Sequence, residues 1–341
     1  VEQGNGRIFV DSNPGRAMRP SSSEPAAAAP EARPTDPGEL AIITVTYHPD
    51  LAILAAQQQA LPQAALKILV DNASDGETCR ALRQFAADAS KTALIENGVN
   101  KGLAAALNQG AEHALQALAG CRLLLFLDQD TEPPEGGVAA LLHSYEQLQR
   151  QDRNPGCIGP SLTDVTTGLE HGFHRIEGWR WVRRFPARDD DPIECDNLNC
   201  SGTLVSTRVF TQLQGFEENF FVDHLDTEWA FRVKAAGLGL FGIPGVSFKH
   251  RMGQSSWRIW MGRWRIWPYR TPQRHFMLFR NAVRLMRRGY VPLVWKFWAA
   301  IKLLLTACVH LFLDARRWEQ LRCMSKGVWA GLRAQGTPVR T

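Results

Sequence analysis

The chain has 341 residues, 45% hydrophobic and 21% charged, which suits one large α/β domain with an appendage or two small domains and excludes a disordered or fibrous protein. Seven scattered cysteines, of which only Cys195 and Cys200 lie close and none forms a CxxC pair, exclude a disulfide scaffold and predict reduced thiols in a cytosolic protein. The net charge of +5 hides a division: residues 249–341 hold 19 Lys+Arg against 2 Asp+Glu, a net +17, with 8 of the 11 tryptophans, while residues 1–248 carry a net −12.

Residues 1 to about 38 contain a serine run at 21–23, an Ala-Pro stretch at 25–30, and Pro34, Pro37 and Gly38. With almost no apolar periodicity and no apolar core behind a basic start, they predict a flexible leader rather than a secretory signal. From Leu40 the pattern changes. Apolar β-rich runs at 41–47, 66–70, 92–95 and 122–127 alternate with helical compositions at 50–61, 77–88, 101–119 and 135–150. This alternation predicts βαβ units and a mainly parallel sheet covered on both faces. Beyond Pro155 the regularity weakens, with strands expected at 156–160, 203–206, 238–242 and 246–249 and a helix at 226–236.

In an open parallel sheet, ligands bind outside the carboxyl ends of the strands, so the residues following each strand carry the functional information. The four ends read Thr46-Tyr47-His48-Pro49, Asp71-Asn72-Ala73-Ser74-Asp75, Glu96-Asn97-Gly98 with Asn100-Lys101-Gly102 beyond, and Asp128-Gln129-Asp130. Helix capping by Asp, Asn and Ser explains one or two such ends. It does not readily explain Asp128 and Asp130 together after six apolar residues. On an extended chain alternate side chains share a face, so these two carboxylates can share one hard divalent cation, Mg2+ or Mn2+, completed by a diphosphate.

The ordered runs ITVTYHPD, LVDNASDG, NKGLAAALNQG and FLDQD resemble family 2 glycosyltransferases with the nucleotide-sugar-binding GT-A fold. The likeness continues through Cys200-Ser201-Gly202-Thr203, FFVDHLDTEW and FKHRMGQS, covers roughly residues 40–290, and is similar in its last two elements to the bacterial rhamnosyltransferase branch. The resemblance implies that Thr46, Tyr47 and Asp71 hold the nucleotide base, for which a carboxylate suits the N3–H of uracil or thymine; an N-cap for the helix near 77 is the other reading of Asp71. It places Asn100, Lys101 and Gly102 near the nucleotide. Asp128 and Asp130 carry over as the DxD pair, with Asp130 the direct metal ligand and Asp128 on the ribose, a metal-bound water or the metal. His250 either completes the metal site or is structural. Asp223 and Asp226 occupy the acidic catalytic segment, where one carboxylate takes the proton of the acceptor hydroxyl. Asp223 is the first choice of base and Asp226 the second, which also suits a helix cap. Trp229 walls the acceptor pocket or simply packs.

The implied reaction is a single displacement with inversion, moving L-rhamnose from dTDP-β-L-rhamnose to a lipopolysaccharide core or lipid-linked O-antigen acceptor. The implied location is the cytoplasmic face of the bacterial inner membrane. A UDP-sugar-dependent enzyme of the same fold, a nucleotidyltransferase and a non-catalytic membrane adaptor are the rivals.

The organisation expected is a leader over 1–38, a GT-A catalytic domain over 39–255, and a basic, Trp/Arg-rich helical region over 256–341. In the last, residues 291–313 are long enough to span a bilayer, but Lys296, Lys302 and His310 interrupt them. Lys296, Lys302, Thr306, His310, Asp314 and Arg317 form a polar stripe on a helical wheel, with Trp295, Ala299, Leu303 and Leu313 in the same arc. In-plane association with an anionic membrane is favoured over a packed helix or a true span. No nucleic-acid fold accompanies the basic residues, and no nucleic-acid partner is expected.

Overall fold

The computed structural model describes residues 36–251, 256–260 and 264–333, all within one compact unit. All but the last three residues of the expected leader, and Met252–Ser255 of the FKHRMGQS run, lie outside the described residues. The elements in chain order are β1 (Leu40–Thr46), α1 (Leu51–Ala60), β2 (Leu66–Asp71), α2 (Gly76–Asp88), β3 (Thr92–Glu96), α3 (Leu103–Ala117), β4 (Leu123–Asp128) and β5 (Thr131–Glu132). There follow α4 (Gly137–Arg150), β6 (Pro155–Asp164), β7 (Phe173–Glu177), β8 (Arg180–Arg184), β9 (Ile193–Glu194), β10 (Leu204–Ser206), α5 (Thr207–Gln212), α6 (Leu225–Ala235) and β11 (Gly239–His250). Then come β12 (Ser256–Trp260), β13 (Trp264–Pro268), α7 (Pro272–Met286), α8 (Leu293–Leu313) and α9 (Arg317–Arg333).

The main sheet runs β3-β2-β1-β4-β10-β6-β11-β5, with β9 also on β11. Pairs β1–β2, β2–β3, β1–β4 and β6–β11 are parallel. Strand β10 runs antiparallel between β4 and β6. The two strands expected at 238–242 and 246–249 are one strand, β11, broken by a register shift between Ile243 and Ser247. Every residue of β1 is buried, because Ile43 and Val45 pack with Leu107 and Ala111 of α3 on one face while Leu40 and Ile42 pack with Leu141 and Tyr145 of α4 on the other. Burial on both faces is why these strands read as unbroken apolar runs.

The basic region opens with a β-ribbon, not a helix. Strands β12 and β13 pair antiparallel from Ser256↔Pro268 to Trp260↔Trp264. Alternating Trp, Arg and Ile has the strand period of two, which explains the ribbon. Helix α9 then lies close on α7, where a Cβ on Gly327 would meet the Phe276 carbonyl at 2.4 Å and one on Gly331 the Arg280 carbonyl at 2.7 Å.

Helix α8 has only the later part of its polar stripe turned inward, while Lys302 and Arg317 are exposed. Thr306 and His310 are buried, as is Asp314 just beyond the helix. His310 Nδ1 lies 3.0 Å from Asp314 Oδ2, which also accepts from Gln320 Nε2 at 2.8 Å. The outward side carries Leu293, Phe297, Leu304, Phe312 and Leu313, all exposed. Among the described residues α8 alone is long and apolar enough to cross a membrane.

Candidate active site

The carboxyl ends of β1, β2 and β4, the loop before α3, the segment before α6 and the end of β11 converge on one rim. At β4, Asp128, Asp130 and His250 each offer a ligand atom, and these atoms lie within 4.8 Å of one another. The two carboxylates meet through a turn after β4, not by alternation along a strand as the sequence suggested. Behind them runs a line of hydroxyls. The Asp128 N–H donates to Ser201 Oγ at 3.0 Å, Ser201 Oγ lies 2.5 Å from Thr131 Oγ1, and Thr131 Oγ1 lies 2.9 Å from His250 Nδ1. With Nδ1–H donating to Thr131, His250 Nε2 keeps a bare lone pair 3.8 Å from Asp128 Oδ2. Burial raises the Asp128 carboxyl above the usual range; His250 opposes this and Asp130 adds to it. Two hard carboxylates and an imidazole fit Mg2+ or Mn2+, whose charge would relieve that penalty.

Gln129, between the two aspartates, faces the other way. Its Oε1 accepts the Tyr47 N–H at 2.7 Å and its Nε2 donates to the Tyr47 carbonyl at 3.2 Å, tying the β1 end to the cation-binding turn. The Tyr47 side chain stays half exposed against His48. Asp71 is fully buried: Oδ1 accepts from Thr46 Oγ1 at 3.0 Å and Ser74 Oγ at 2.6 Å, and Oδ2 from Ser74 N–H at 2.9 Å. The helix cap is Asp75, which accepts from the N–H groups of Glu77 and Thr78, so Asp71 is not used as one. Asn72 Oδ1 accepts the Lys101 N–H at 2.9 Å, and its Nδ2 donates to Asn100 Oδ1 at 3.0 Å. This pairing brings Asn100 and Lys101 to the β2 end.

Gly102 has φ +87° and begins α3. What approaches it is the acidic segment: a Cβ there would sit 2.5 Å from the Phe221 ring, and the Leu103 N–H donates to the Phe221 carbonyl at 2.6 Å. Gly102→Val is therefore expected to cost about 1–3 kcal/mol and to lower kcat by displacing residues 221–224. Thermal melts read the first effect and steady-state kinetics the second.

That segment is itself unusual. Phe221, Asp223 and His224 all have φ near +60°, a conformation L-residues hold only when their surroundings impose it. The imposing group is Asn281 of α7, fully buried, whose Nδ2 lies 2.6 Å from the carbonyls of Phe220 and Val222 and 2.9 Å from that of Asp223. Arg284 and Arg280 hold the Asn219 carbonyl just upstream, each at 3.1 Å.

The two candidate bases are placed in opposite environments. Asp223 accepts from Arg270 at 2.6 Å and Arg274 at 2.5 Å; burial opposes its ionisation, but the two guanidiniums outweigh burial and hold the carboxyl below its usual range. Asp226 meets no cation among the described residues, accepts from Thr227 N–H at 2.8 Å, and is pushed up to about 6 by burial. His224, half-buried and edge-on to Trp295 at 5.6 Å, has its pKa lowered to about 4, chiefly by desolvation. Trp229 is core, packed on Phe210 and Phe216.

The family model described as glycosyl transferase family 2 matches residues 52–208, a span that includes Asp71, Asn100–Gly102, Asp128 and Asp130. A dTDP-rhamnosyl transferase, RfbF of Shigella flexneri, is 27% identical over 298 residues, spanning 85% of this chain and 93% of that protein. An N-acetylglucosaminyl-diphospho-decaprenol L-rhamnosyltransferase of Mycobacterium tuberculosis is 25% identical over 244 residues, 64% of this chain and 78% of that one. The solved structure of GalNAc-T7 with UDP, GalNAc and Mn2+ superposes with a TM-score of 0.53 at 14% identity, covering 86% of this chain but only 55% of that one.

Proposed function

Because the chain belongs to glycosyltransferase family 2 and has the GT-A fold, we propose that it is an inverting, divalent-metal-dependent rhamnosyltransferase using dTDP-β-L-rhamnose and a lipid-linked saccharide acceptor. The observation that carries the chemistry is Asp226, a partly buried carboxylate with a raised pKa and no ion-pair partner among the described residues, on the same rim as the Asp128–Asp130–His250 cluster. The rhamnosyl assignment rests on the likeness to proteins named as rhamnosyltransferases.

In this reading Thr46, Tyr47 and Asp71 form the base end of the donor site. Asp71 acts there through Thr46 and Ser74, since both its oxygens are already engaged. Asn100, Lys101 and Gly102 border the nucleotide. Asp128, Asp130 and His250 would hold the cation, which neutralises charge developing on the departing diphosphate. Asp226 takes the proton from the acceptor hydroxyl. The hydroxyl oxygen bonds to the anomeric carbon as its bond to the diphosphate breaks, dTDP leaves, and the β-linked donor yields an α-rhamnoside. Asp223 is the counter-charge that keeps Arg270 and Arg274 in place, not the base.

Residues 39–255 carry donor binding and the base, and residues 256–341 carry membrane contact while also supplying Arg270, Arg274 and Asn281 to the site. We place the enzyme peripherally on the cytoplasmic face of the bacterial inner membrane, with the outward apolar side of α8 in the headgroup region and the basic residues around it on anionic lipid.

A panel of nucleotide sugars assayed for hydrolysis and transfer with Mg2+ or Mn2+, then with EDTA, tests the proposal. Selection of dTDP-rhamnose and loss of turnover in EDTA are expected. Preference for a UDP-sugar would overturn the rhamnosyl assignment and keep the displacement chemistry. Binding of none would favour an adaptor.

A further inference from the structure

Helix α1 carries the run Gln57-Gln58-Gln59 after an apolar stretch, and its first two glutamines are buried, Gln57 completely. A buried amide is costly unless its hydrogen-bonding groups are met, so a glutamine in this place calls for a reason. The mechanism above uses neither residue.

Gln57 reaches across to the turn that carries the two aspartates. Its Nε2 donates to the Asp128 carbonyl at 2.8 Å and to the Thr131 carbonyl at 2.7 Å, 71 and 74 positions away. Those residues flank Gln129 and Asp130, so one amide grips the turn at both ends. Its Oε1 accepts from Thr44 Oγ1 of β1 and from Gln58 Nε2, each at 3.1 Å. An amide has two N–H groups and an oxygen with two lone pairs, and here all four are used. The orientation is determined, because two carbonyl oxygens can accept only from the nitrogen. Gln58 Oε1 is buried without a partner, so what Gln58 contributes is the donor it turns towards Gln57 and Thr44.

The grip extends to all three ligand side chains. Asp128 and Asp130 lie at the edge of the turn and inside it. Thr131, held by its carbonyl, meets His250 Nδ1 through its Oγ1 at 2.9 Å and pairs with His250 where β5 joins β11. Gln129 fastens the same turn to the Tyr47 backbone, between β1 and α1. A hard cation held by few protein groups depends on their spacing being set before it arrives. We propose that Gln57 is a positioning residue of the candidate metal centre, whose amide fixes the separation of Asp128, Asp130 and His250 without touching cation or substrate. The inference rests on the cation-binding reading of that cluster.

Gln57→Met keeps the length of the side chain and removes both N–H groups. Leu82→Ala, in an apolar cluster with Leu54 of α1 and Leu69, loosens the packing of α1 and leaves the amide in place. Mn2+ binding to the full chain without donor, followed by loss of the free-ion EPR signal, is expected to weaken about tenfold or more in Gln57→Met and to stay at the wild-type value in Leu82→Ala. Excess Mn2+ should restore most of the kcat of Gln57→Met, because the three ligands remain. Unchanged affinity in Gln57→Met, or equal weakening in both variants, would make Gln57 an ordinary core residue and overturn the proposal. Should Gln57→Met not fold, Thr44→Val takes its place: it removes one donor to Oε1 and is expected to weaken Mn2+ binding about threefold, the worth of one modest hydrogen bond, and unchanged affinity there overturns the proposal. A wild type that binds no Mn2+ would sink the metal reading of the cluster instead. Hydrogen exchange of the Gln129–Thr131 amides in EDTA then decides for Gln57 alone. Faster exchange in Gln57→Met than in Leu82→Ala upholds the grip on the turn, and equal exchange overturns it.

Discussion

Asp226→Asn is expected to lower kcat by about a thousandfold or more, within the range a positioned general base contributes, and at the same time to raise the melting temperature at pH 8. Both effects come from one environment. Burial without a neighbouring cation lifts the carboxyl to about 6, close to working pH and therefore suited to accept a proton. Wild-type kcat/KM should rise with pH through about 6 and level off above it, and the residual activity of the Asn variant should not follow that curve. The stability effect has a definite sign. A folded-state pKa above the unfolded 3.8 means stabilisation that is complete below 3.8 and lost as pH climbs through 6. At pH 8 the ionised carboxylate thus costs at most about 3 kcal/mol, which the neutral amide avoids. Asp223→Asn is expected to do the reverse. Its carboxyl is held low by Arg270 and Arg274, so its stabilisation is present above its unfolded pKa and is lost in acid. Removing that charge at pH 8 strands two half-exposed guanidiniums and should cost about 1–3 kcal/mol. Matched melts and pH–rate profiles on the two variants decide the base. An active, destabilised Asp226→Asn would transfer the role to Asp223.

Asp130→Ala is expected to lower turnover about a thousandfold at saturating donor and to remove the response to added Mn2+. Three ligand atoms within 4.8 Å are few for a hard cation, so each one matters, and the remaining coordination falls to donor and solvent. Excess metal should restore part of the activity of His250→Gln, which keeps a neutral donor, but little of that of Asp130→Ala, which loses a charge. Titration of Mn2+ by its paramagnetic effect on dTDP resonances reads the site without turnover. Full metal response in Asp130→Ala would refute the cluster.

Much of the first half of the chain was legible because β1, β2 and β4 are buried on both faces and α1 and α2 begin at visible caps. Asp50 and Asp75 cap α1 and α2 where Asp precedes helical composition. Asp128 and Asp130 were also legible, although it is a turn that brings them together. The groups that sequence reading missed are held by long-range register. Asn281 reaches carbonyls 58 to 61 positions earlier, and Arg274 meets an aspartate 51 positions away. The Asp-Gly step at 75–76 was a local signal that Asp75, not Asp71, would cap. For α8 the helical wheel located the polar stripe but carried no information on its direction, because period fixes which residues share a face and not what that face meets.

The grip of Asn281 on the 220–223 backbone bears on how such enzymes can be recombined. A chimera joined at position 255, with its C-terminal third taken from a relative, would separate that amide from the three carbonyls it evolved to hold. It would also part Arg270 and Arg274 from Asp223. Grafts that carry residues 219–224 with the C-terminal third keep these partners together, so the workable unit of exchange is discontinuous along the chain.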